Sequence, residues 1–331
     1  MREPKQGVVR WGVMGTGTIA EQFVADLAHT TNGVAYAVGS RKPGNAELFA
    51  SEFGIPRAYG SYMELVNDPD IDVIYVATPH RYHLENALNS LRAGKAVLCE
   101  KPITVNSREL EVLISTARER GLFLMEAMWM RFLPPVRKAM EWMRAGRIGE
   151  VRLLQAEFGF MADWEPETRL LNPELAGGSL LDVGIYPVAF ASMIFGIQPR
   201  AIWSTARIGG TGVDEQFSAL LTYDTGEVAS LHGAIRLGLR NEAVIHGTKG
   251  CISLPSMNKA PSVSLYKDGE VVETYADDRL GKGYEYEAEE VGRCILAGET
   301  ESPLMPLDES LKVMEQLDTM RAQWGLRYPF E

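Results

Sequence analysis

Cysteine and histidine are scarce in this sequence, and their scarcity excludes several kinds of protein. The 331 residues include three cysteines and five histidines. Cys99, Cys251 and Cys294 are odd in number and widely spaced, which argues against a disulfide framework and against a cysteine-based metal motif. We therefore expect three reduced thiols and a cytoplasmic protein.

Long apolar runs are also lacking. No apolar stretch approaches the roughly 18 residues that a membrane-spanning helix needs. Met1–Gln6 has no apolar core of the kind found in a signal peptide. The sequence therefore predicts a protein with no membrane partner.

The chain has no excess of basic residues. It carries 33 Lys and Arg against 44 Asp and Glu, a net charge of −11. Residues 1–125 hold 13 basic and 14 acidic side chains, a net −1, and residues 126–331 hold 20 and 30, a net −10. Such a surface repels nucleic acid, and no basic stripe interleaved with aromatic residues argues otherwise. An anionic cofactor fits better on the nearly neutral first part.

Residues 1–125 alternate short apolar runs with helical patterns, which is typical of a parallel sheet buried on both faces. This part of the chain is therefore predicted to be a Rossmann domain, a doubly wound parallel sheet that binds a dinucleotide. The predicted strands are Val8–Met14, Val34–Gly39, Val73–Ala77, Ala96–Cys99 and Phe123–Met125. The predicted helices lie near Ile19–His29, Asn45–Phe53, Tyr62–Val66, His83–Ala93 and Ser107–Arg120.

Residues 126–331 follow a different pattern, in which most segments alternate apolar and polar residues between turn signals. We therefore expect an α/β protein whose second, α+β domain holds a large open, mostly antiparallel sheet. The predicted strands are Val151–Phe160, Ala201–Ile208, Glu215–Tyr223, Val228–Ile235, Asn241–His246, Cys251–Leu254 and Val263–Tyr266. One predicted helix ends near Ala145, another follows Gly178, and two more lie near Tyr284–Ala297 and Asp308–Trp324.

A glycine-rich turn lies between the first predicted strand and the first predicted helix. Its residues, Gly15, Thr16, Gly17, Thr18, Ile19 and Ala20, have the spacing G-x-G-x-x-A. The first glycine allows a tight turn, the second lets the backbone approach a pyrophosphate, and the small third residue permits close packing of helix on strand. Helix N-terminal amides then bind the anion. We expect this turn to bind the pyrophosphate of NADP or NAD.

The end of the second predicted strand bears on the choice between these cofactors. A site selective for NAD usually has an acidic residue there for the ribose hydroxyls, and Ser40-Arg41-Lys42 has none. Ser40 and Arg41 could instead hold a ribose phosphate, and Arg41 could also stack on the adenine. A solvated basic turn is the alternative. We expect NADP to be preferred.

Two histidines follow the strand that ends in Ala77, Thr78 and Pro79. His80 and His83 are three residues apart, but no third ligand lies at a suggestive spacing, so we expect no metal site. We expect the strand end to wall the nicotinamide pocket, with the histidines lining it or capping the following helix.

The strand Ala96–Cys99 leads into Glu100, Lys101 and Pro102. A lysine rarely ends a buried parallel strand for structural reasons, because desolvating an ammonium is costly. Ligands of doubly wound sheets bind outside the carboxyl ends of the strands. Lys101 is therefore a candidate catalytic residue and cofactor contact, held by Glu100; a Glu–Lys ion pair at a strand end is the alternative.

The next strand end, Met125–Phe132, starts the second domain. There Trp129 and Arg131 could cover a cofactor, whereas Met128 and Met130 could belong to the core.

The segment Gly177–Pro187 carries an acid and a phenol. Asp182 and Tyr186 are four residues apart on a predicted helix, so they share one face. Burying both on an apolar face is costly unless they have a task, and Pro187 can bend the helix. They are candidate catalytic residues; a Tyr186 hydroxyl satisfied by Asp182 in the core is the alternative.

Three of these motifs together resemble those of the Gfo/Idh/MocA oxidoreductases. They are the G-x-G-x-x-A turn, the Glu-Lys-Pro strand end and Gly-Gly-x-x-x-Asp-x-Gly-x-Tyr in the second domain, and the resemblance spans essentially the whole chain. Met125–Phe132 and Arg169–Leu175 resemble the branch that contains dimeric dihydrodiol dehydrogenase and NADP-linked D-xylose dehydrogenase. The inositol dehydrogenase branch usually has His where this chain has Tyr186, which argues against inositol-type substrates.

The resemblance implies an NAD(P)-dependent oxidoreductase that transfers a hydride between nicotinamide and a carbinol carbon of a sugar, polyol or cyclic diol. It implies that Lys101 and Tyr186 handle the proton, with the direct donor left open, and that Asp182 orients Tyr186 or binds a substrate hydroxyl. It also implies a homodimer through the second-domain sheet, or a tetramer. Candidate substrate contacts are Phe158, Phe160, Trp164 and Arg169.

Two alternatives stay open. The chain could be a non-catalytic, cofactor-sensing regulator of the same fold, although such a protein would tolerate the loss of Lys101, Asp182 and Tyr186, and all three are present. It could also exchange hydride between two sugars with a cofactor that is never released.

Overall fold

The structure is a computed structural model that describes residues 7–331 apart from the side chain of Pro43. The expectation about Met1–Gln6 lies outside the described residues. The chain divides into two compact units. The first runs up to Trp129 and includes Arg279–Ser310; the second comprises Met130–Asp278 and Leu311–Glu331. The sequence pattern predicts a single boundary after residue 125, which would place Arg279–Ser310 in the second domain.

The first unit contains a six-stranded parallel sheet in the order β3-β2-β1-β4-β5-β6, which confirms the predicted doubly wound fold. The order reverses between β1 and β4, and ligands of such sheets bind at that point. The strands are β1 Val9–Met14, β2 Gly33–Gly39, β3 Arg57–Tyr59, β4 Val73–Val76, β5 Ala96–Glu100 and β6 Leu124–Ala127. The helices are α1 Thr18–Leu27, α2 Pro43–Phe53, α3 Tyr62–Asn67, α4 His83–Arg92, α5 Ser107–Arg120 and α8 Tyr284–Leu296.

Helix α8 belongs to the first unit because a carboxylate of α1 caps it. Oδ2 of Asp26 accepts hydrogen bonds from the backbone amides of Lys282, Gly283 and Tyr284, at 2.8, 2.9 and 3.0 Å. These amides lie at the N-terminus of α8, where no carbonyl of the helix can accept them. A capping side chain normally comes from the residue just before the helix. Here it comes from a distant part of the chain, which ties α8 to α1.

The second unit contains an eight-stranded sheet in the order β14-β13-β12-β11-β7-β10-β9-β8, as the predicted large open sheet requires. Every neighbouring pair is antiparallel except β7 and β10. The strands are β7 Val151–Gly159, β8 Ala201–Ile208, β9 Asp214–Thr222, β10 Val228–Ala234, β11 Ala243–Gly247, β12 Gly250–Leu254, β13 Ser262–Lys267 and β14 Glu270–Ala276. The remaining helices are α6 Pro134–Arg144, α7 Ile185–Phe195 and α9 Leu307–Trp324.

One stretch, Pro173–Phe195, has the length and mean hydropathy of a membrane-spanning helix, contrary to the expectation from the sequence. Of its most apolar window, 83% is buried inside the protein, as in a core helix of a globular domain. The sequence does not show this as one long apolar run, because polar residues such as Ser179 and Asp182 interrupt it.

A buried carboxylate of β9 holds the turn at which this stretch becomes helical. Oδ2 of Asp214 accepts hydrogen bonds from the Ser179 hydroxyl and from the Leu180 amide, both at 2.7 Å. Gly178 has φ +123°, and a Cβ there would overlap the Asp214 carboxylate. From the C-terminal segment, the Tyr328 hydroxyl donates to the Gly177 carbonyl at 2.7 Å. Gly178 is therefore needed for the close approach of Asp214, and Gly177 for the close approach of the Leu170 carbonyl, which a Cβ at Gly177 would overlap.

Burial makes the Asp214 carboxyl a source of pH-dependent stability. Burial raises its pKa to about 6, against the opposing hydrogen bonds from Ser179 and Leu180. Between roughly pH 4 and 6, the Asp214 carboxyl is protonated in the native state but ionised in the unfolded chain. Its contribution to the free energy of unfolding is therefore fully present at about pH 4 and is lost as the pH rises through 6.

We predict that Asp214→Asn reduces this pH dependence. The amide keeps a hydrogen-bond acceptor but does not titrate. Relative to the variant, the wild-type free energy of unfolding should fall by up to about 3 kcal/mol between roughly pH 4 and 7. Urea unfolding of both proteins across this range measures the difference, and parallel curves would contradict the assignment.

Candidate active site

The turn between β1 and α1 carries the glycine motif. The Gly15 amide donates to the Gly39 carbonyl at 3.0 Å. Gly15 has φ +119°, and a Cβ there would lie 2.8 Å from the Ala77 carbonyl oxygen. A glycine is therefore required where β1, β2 and the end of β4 come together.

The start of α1 has the features of a phosphate site. Gly17 is the N-cap residue, and no side chain caps the helix. A Cβ at Gly17 would meet nothing within 4 Å, so the backbone there is open to close approach. Thr16 and Ile19 are half-buried and Thr18 is exposed. Uncapped amides beside an accessible backbone fit the pyrophosphate of a dinucleotide.

The end of β2 presents a buried serine and an exposed arginine. The Ser40 hydroxyl oxygen accepts a hydrogen bond from the Lys42 amide at 3.2 Å, which shapes the turn. The Arg41 guanidinium carbon lies 5.4 Å from the centre of the Tyr82 ring. A cation at the end of β2 fits a phosphate on the ribose better than it fits a free hydroxyl.

The ends of β4 and β5 are joined through His83, the first residue of α4. Its Nε2 lies 2.7 Å from the Thr78 carbonyl and its Nδ1 2.7 Å from the Pro102 carbonyl. Burial, together with the nearby charge of Lys101, lowers the pKa of this fully buried ring to about 4, although the two carbonyls oppose the shift. A neutral imidazole has one N–H, so it donates to one carbonyl at a time.

Lys101 follows the last residue of β5 and is half-buried. Before it, the buried Glu100 carboxylate accepts a hydrogen bond of 2.5 Å from the Tyr75 hydroxyl. After it, the peptide bond to Pro102 is cis. The next amide, of Ile103, donates to the Glu126 carboxylate at 3.0 Å. The backbone that carries the lysine is thus fixed from both sides.

The strand end at β6 leads into a short helical turn, Trp129–Phe132. Trp129 is buried and stacks on Tyr284, with ring centres 4.6 Å apart. Arg131 is half-buried. Met128 and Met130 are fully buried, which confirms the interpretation of both as core residues.

In the second unit, the acid and the phenol lie at the start of the long apolar helix. Oδ1 of the buried Asp182 accepts a hydrogen bond of 2.7 Å from Nη1 of Arg169. The Tyr186 ring packs edge-on against Phe158, with centres 5.5 Å apart, and Phe160 lies next to Phe158. The structure therefore joins Arg169 to Asp182, and Tyr186 to the two phenylalanines.

Trp164 has a different neighbour. Its ring is half-exposed and lies under the Arg236 guanidinium at 5.6 Å.

The local helix differs from the one that the sequence analysis assumed. Leu180–Gly184, which includes Asp182, is a π-helical segment, and the regular α-helix starts at Ile185. Pro187 has no amide to donate to Val183, so regular α-helical bonding cannot continue through this point. π-helical turns within helices are frequent at functional sites. The four-residue spacing of Asp182 and Tyr186 is therefore not an α-helical spacing.

Sequence reasoning missed the side chains that fix the site loops. Tyr75 lies in an apolar strand, Glu126 lies in Met125–Phe132 but was given no role there, and Asp214 has no neighbouring motif. Their partners are 25, 23 and 34 or more residues away in the chain. The one signal was the presence of polar residues inside otherwise apolar segments, which marks burial with a specific partner.

Comparison with known proteins identifies the family. Residues 9–128 match the model of the "Oxidoreductase family, NAD-binding Rossmann fold", and residues 136–253 match the "GFO/IDH/MocA C-terminal domain".

Relatives and solved structures agree over nearly the whole chain. The chain is 42% identical to trans-1,2-dihydrobenzene-1,2-diol dehydrogenase of Mus musculus, over 97% of this chain and 98% of that one. It is 39% identical to the enzyme of the same name from Homo sapiens, with the same coverage. A crystal structure of KijD10, a 3-ketoreductase from Actinomadura kijaniata in complex with NADP and TDP-benzene, aligns with TM-score 0.85 and 27% identity, covering 95% and 97% of the two chains.

The two family models together span most of the chain, and the first unit has the Rossmann fold that the first of them names. The chain therefore belongs to the GFO/IDH/MocA family and is an NAD(P)-dependent oxidoreductase.

Proposed function

We propose that this protein is an NADP-linked dehydrogenase that acts on a carbinol carbon of a cyclic diol, a sugar or a polyol. The relatives named above act, by name, on a dihydrobenzene diol, and KijD10 is a ketoreductase seen with NADP. The observation that carries the proposal is Lys101. It stands half-buried at the carboxyl end of β5, on a backbone that His83 and Glu126 fix.

The first unit supplies the cofactor site in this proposal. The absence of an acid after β2, and the presence of Arg41 there, support NADP over NAD. The residues proposed to hold the cofactor, directly or through the loops that they fix, are Gly15, Thr16, Gly17, Thr18, Ile19, Ser40, Arg41, Ala77, Thr78, Pro79, His83, Glu100, Lys101, Trp129 and Arg131.

The second unit supplies the substrate contacts. A bound nicotinamide provides the hydride acceptor or donor. We assign the hydroxyl proton to Lys101 and Tyr186, because an ammonium and a phenol can both exchange a proton with an alkoxide and stabilise its charge. Asp182, held by Arg169, would orient the substrate hydroxyl or Tyr186. Phe158, Phe160 and Trp164 would contact a sugar or arene ring.

We predict that Lys101→Met and Tyr186→Phe each lower kcat by about 10²- to 10⁴-fold, the usual contribution of a proton-transferring group. NADP⁺ reduction is followed at 340 nm against a panel of cyclic diols, aldoses and polyols. The double variant should be little worse than the poorer single variant if both residues serve one step.

Binding separates this proposal from its alternatives. NADP(H) titration by fluorescence should show that Lys101→Met still binds the cofactor, with an affinity reduced far less than kcat, since Lys101 is one of many proposed cofactor contacts. Tight binding by wild-type protein without turnover of any substrate would favour a cofactor-sensing regulator. Cofactor that copurifies and exchanges hydride between two sugars would favour a sugar–sugar oxidoreductase.

We also propose a cytoplasmic homodimer that forms through the open face of the eight-stranded sheet. The three cysteines are unpaired, as in a reducing compartment. Across the outward face, register places Trp203, Leu220, Ser230, Gln155 and Val244 in one row. Trp203 and Leu220 are 57% and 41% exposed, and no residue of the row is charged. Exposed apolar side chains with uncharged neighbours are typical of a protein interface.

We predict that Leu220→Glu converts the dimer to a monomer, because it places a charge in the middle of this face. Leu48→Glu is the matched control, since Leu48 is 72% exposed on α2 of the other unit. Sedimentation velocity measures both variants. A wild-type monomer, or a Leu220→Glu dimer, would refute the interface, and a wild-type tetramer would require a second one.

A further inference from the structure

Three connections of the first unit converge on the Arg41 side chain. Arg41 follows β2, Tyr82 ends the short helical turn His80–Tyr82 after β4, and Tyr62 begins α3. The Arg41 guanidinium carbon lies 5.4 Å from the centre of the Tyr82 ring, which is within the range of a cation–π interaction. Arg41 also acts on Tyr62: burial raises the pKa of Tyr62, and the interaction with Arg41 opposes the rise.

Tyr82 is itself held firmly. Its amide donates to the Pro79 carbonyl at 2.9 Å. The next residue, His83, is fully buried with both ring nitrogens 2.7 Å from carbonyl oxygens. The ring beneath Arg41 is thus attached to a backbone that is held at Tyr82 itself and at the buried residue that follows it.

An exposed arginine otherwise samples many rotamers. A ligand that binds only one of them loses binding free energy, because the side chain must be ordered when the ligand binds. A guanidinium already seated on a ring has lost part of that freedom before the ligand arrives. This ordering strengthens the binding only of a ligand that carries the group contacted by the guanidinium.

We propose that Tyr82 is a positioning residue for Arg41, and that it sets the preference for NADP over NAD by holding the guanidinium for the 2′-phosphate. This inference rests on the proposed NADP linkage. If the Tyr82 ring instead stacked on the adenine, it would strengthen the binding of NADP and NAD equally, because both cofactors carry the same adenine. It would then set no preference between them.

Dissociation constants for NADP⁺ and NAD⁺, measured by titration of the full-length protein, test the assignment. Tyr82→Leu is expected to weaken NADP⁺ binding by about two- to fivefold, the size of an exposed cation–π contact, and to leave NAD⁺ binding unchanged. Tyr82→Phe keeps the ring and should retain the wild-type ratio of the two constants. In an Arg41→Met background, Tyr82→Leu should have no further effect on NADP⁺, because the partner is already gone.

Several results would overturn the assignment. Equal weakening of both cofactors by Tyr82→Leu would show that the ring acts on the adenine, directly or through Arg41, and not on the 2′-phosphate. An effect that persists in the Arg41→Met background would show that Tyr82 does not act through Arg41. No change in Tyr82→Leu, while Arg41→Met loses NADP⁺ affinity, would remove the positioning role and leave the NADP site intact.

The NADP linkage can fail separately. If Arg41→Met binds NADP⁺ as well as the wild type does, the role of Arg41 is wrong whatever Tyr82 does; if the wild type binds NAD⁺ more tightly than NADP⁺, the NADP linkage itself is wrong. Thermal unfolding of each variant confirms that the fold is retained, and Tyr62→Phe gives an independent reading. Removing only that hydroxyl should weaken NADP⁺ alone, and by less than Tyr82→Leu does.

Discussion

A buried backbone amide or carbonyl must find a hydrogen-bond partner, because leaving one unpaired costs free energy comparable to a lost hydrogen bond. Turns and helix ends leave such groups, and both units use single buried side chains to pair with them. The Asp26 carboxylate accepts hydrogen bonds from three amides at the start of α8, and the Asp214 carboxylate accepts one from the Leu180 amide. In the first sheet, at the amino ends of β4 and β5, the Lys95 ammonium donates to the carbonyls of Asp68 and Ile71.

The loops that carry the candidate site obey the same requirement. The chain on either side of Lys101 is fixed through Glu100 by Tyr75, through Pro102 by His83, and through Ile103 by Glu126. These partners are fully or almost fully buried, whereas the lysine is not. Rigid surroundings reduce the number of positions open to a functional side chain, and that precision is what proton transfer at a set distance requires.

Local pattern was enough to find most of the fold. The predicted strands of the first sheet end within two residues of those observed, because a buried parallel strand is a continuous apolar run. β3 was missed because its three residues, Arg57–Tyr59, are too short to form a pattern. β14 was missed because Val271 and Val272 are both more than half exposed, so Glu270–Ala276 has no buried face to produce alternation.

Local sequence patterns could not predict contacts between distant parts of the chain. Nothing near Asp26 indicates that it caps a helix starting at Tyr284, so the sequence placed α8 in the second domain, whereas it groups with the first unit. The candidate site shows the same division. Gly15, Lys101, Asp182 and Tyr186 stand out locally, because each is a residue type that its segment does not otherwise favour. The partners that fix their loops stand out only once the fold brings them together.

The segment after β4 shows how one short stretch can serve two parts of a cofactor site. Tyr82 lies beneath Arg41, the residue assigned to the ribose phosphate, and His83 fixes the carbonyl of Pro102 next to Lys101. Adjacent residues of a helix start point in different directions, so one anchored backbone can place both side chains. Because His83 also contacts the Thr78 carbonyl, the segment is tied to the strand from which it emerges. The order of the sheet reverses beside β4, and a loop leaving the sheet at that point can reach toward both β2 and β5.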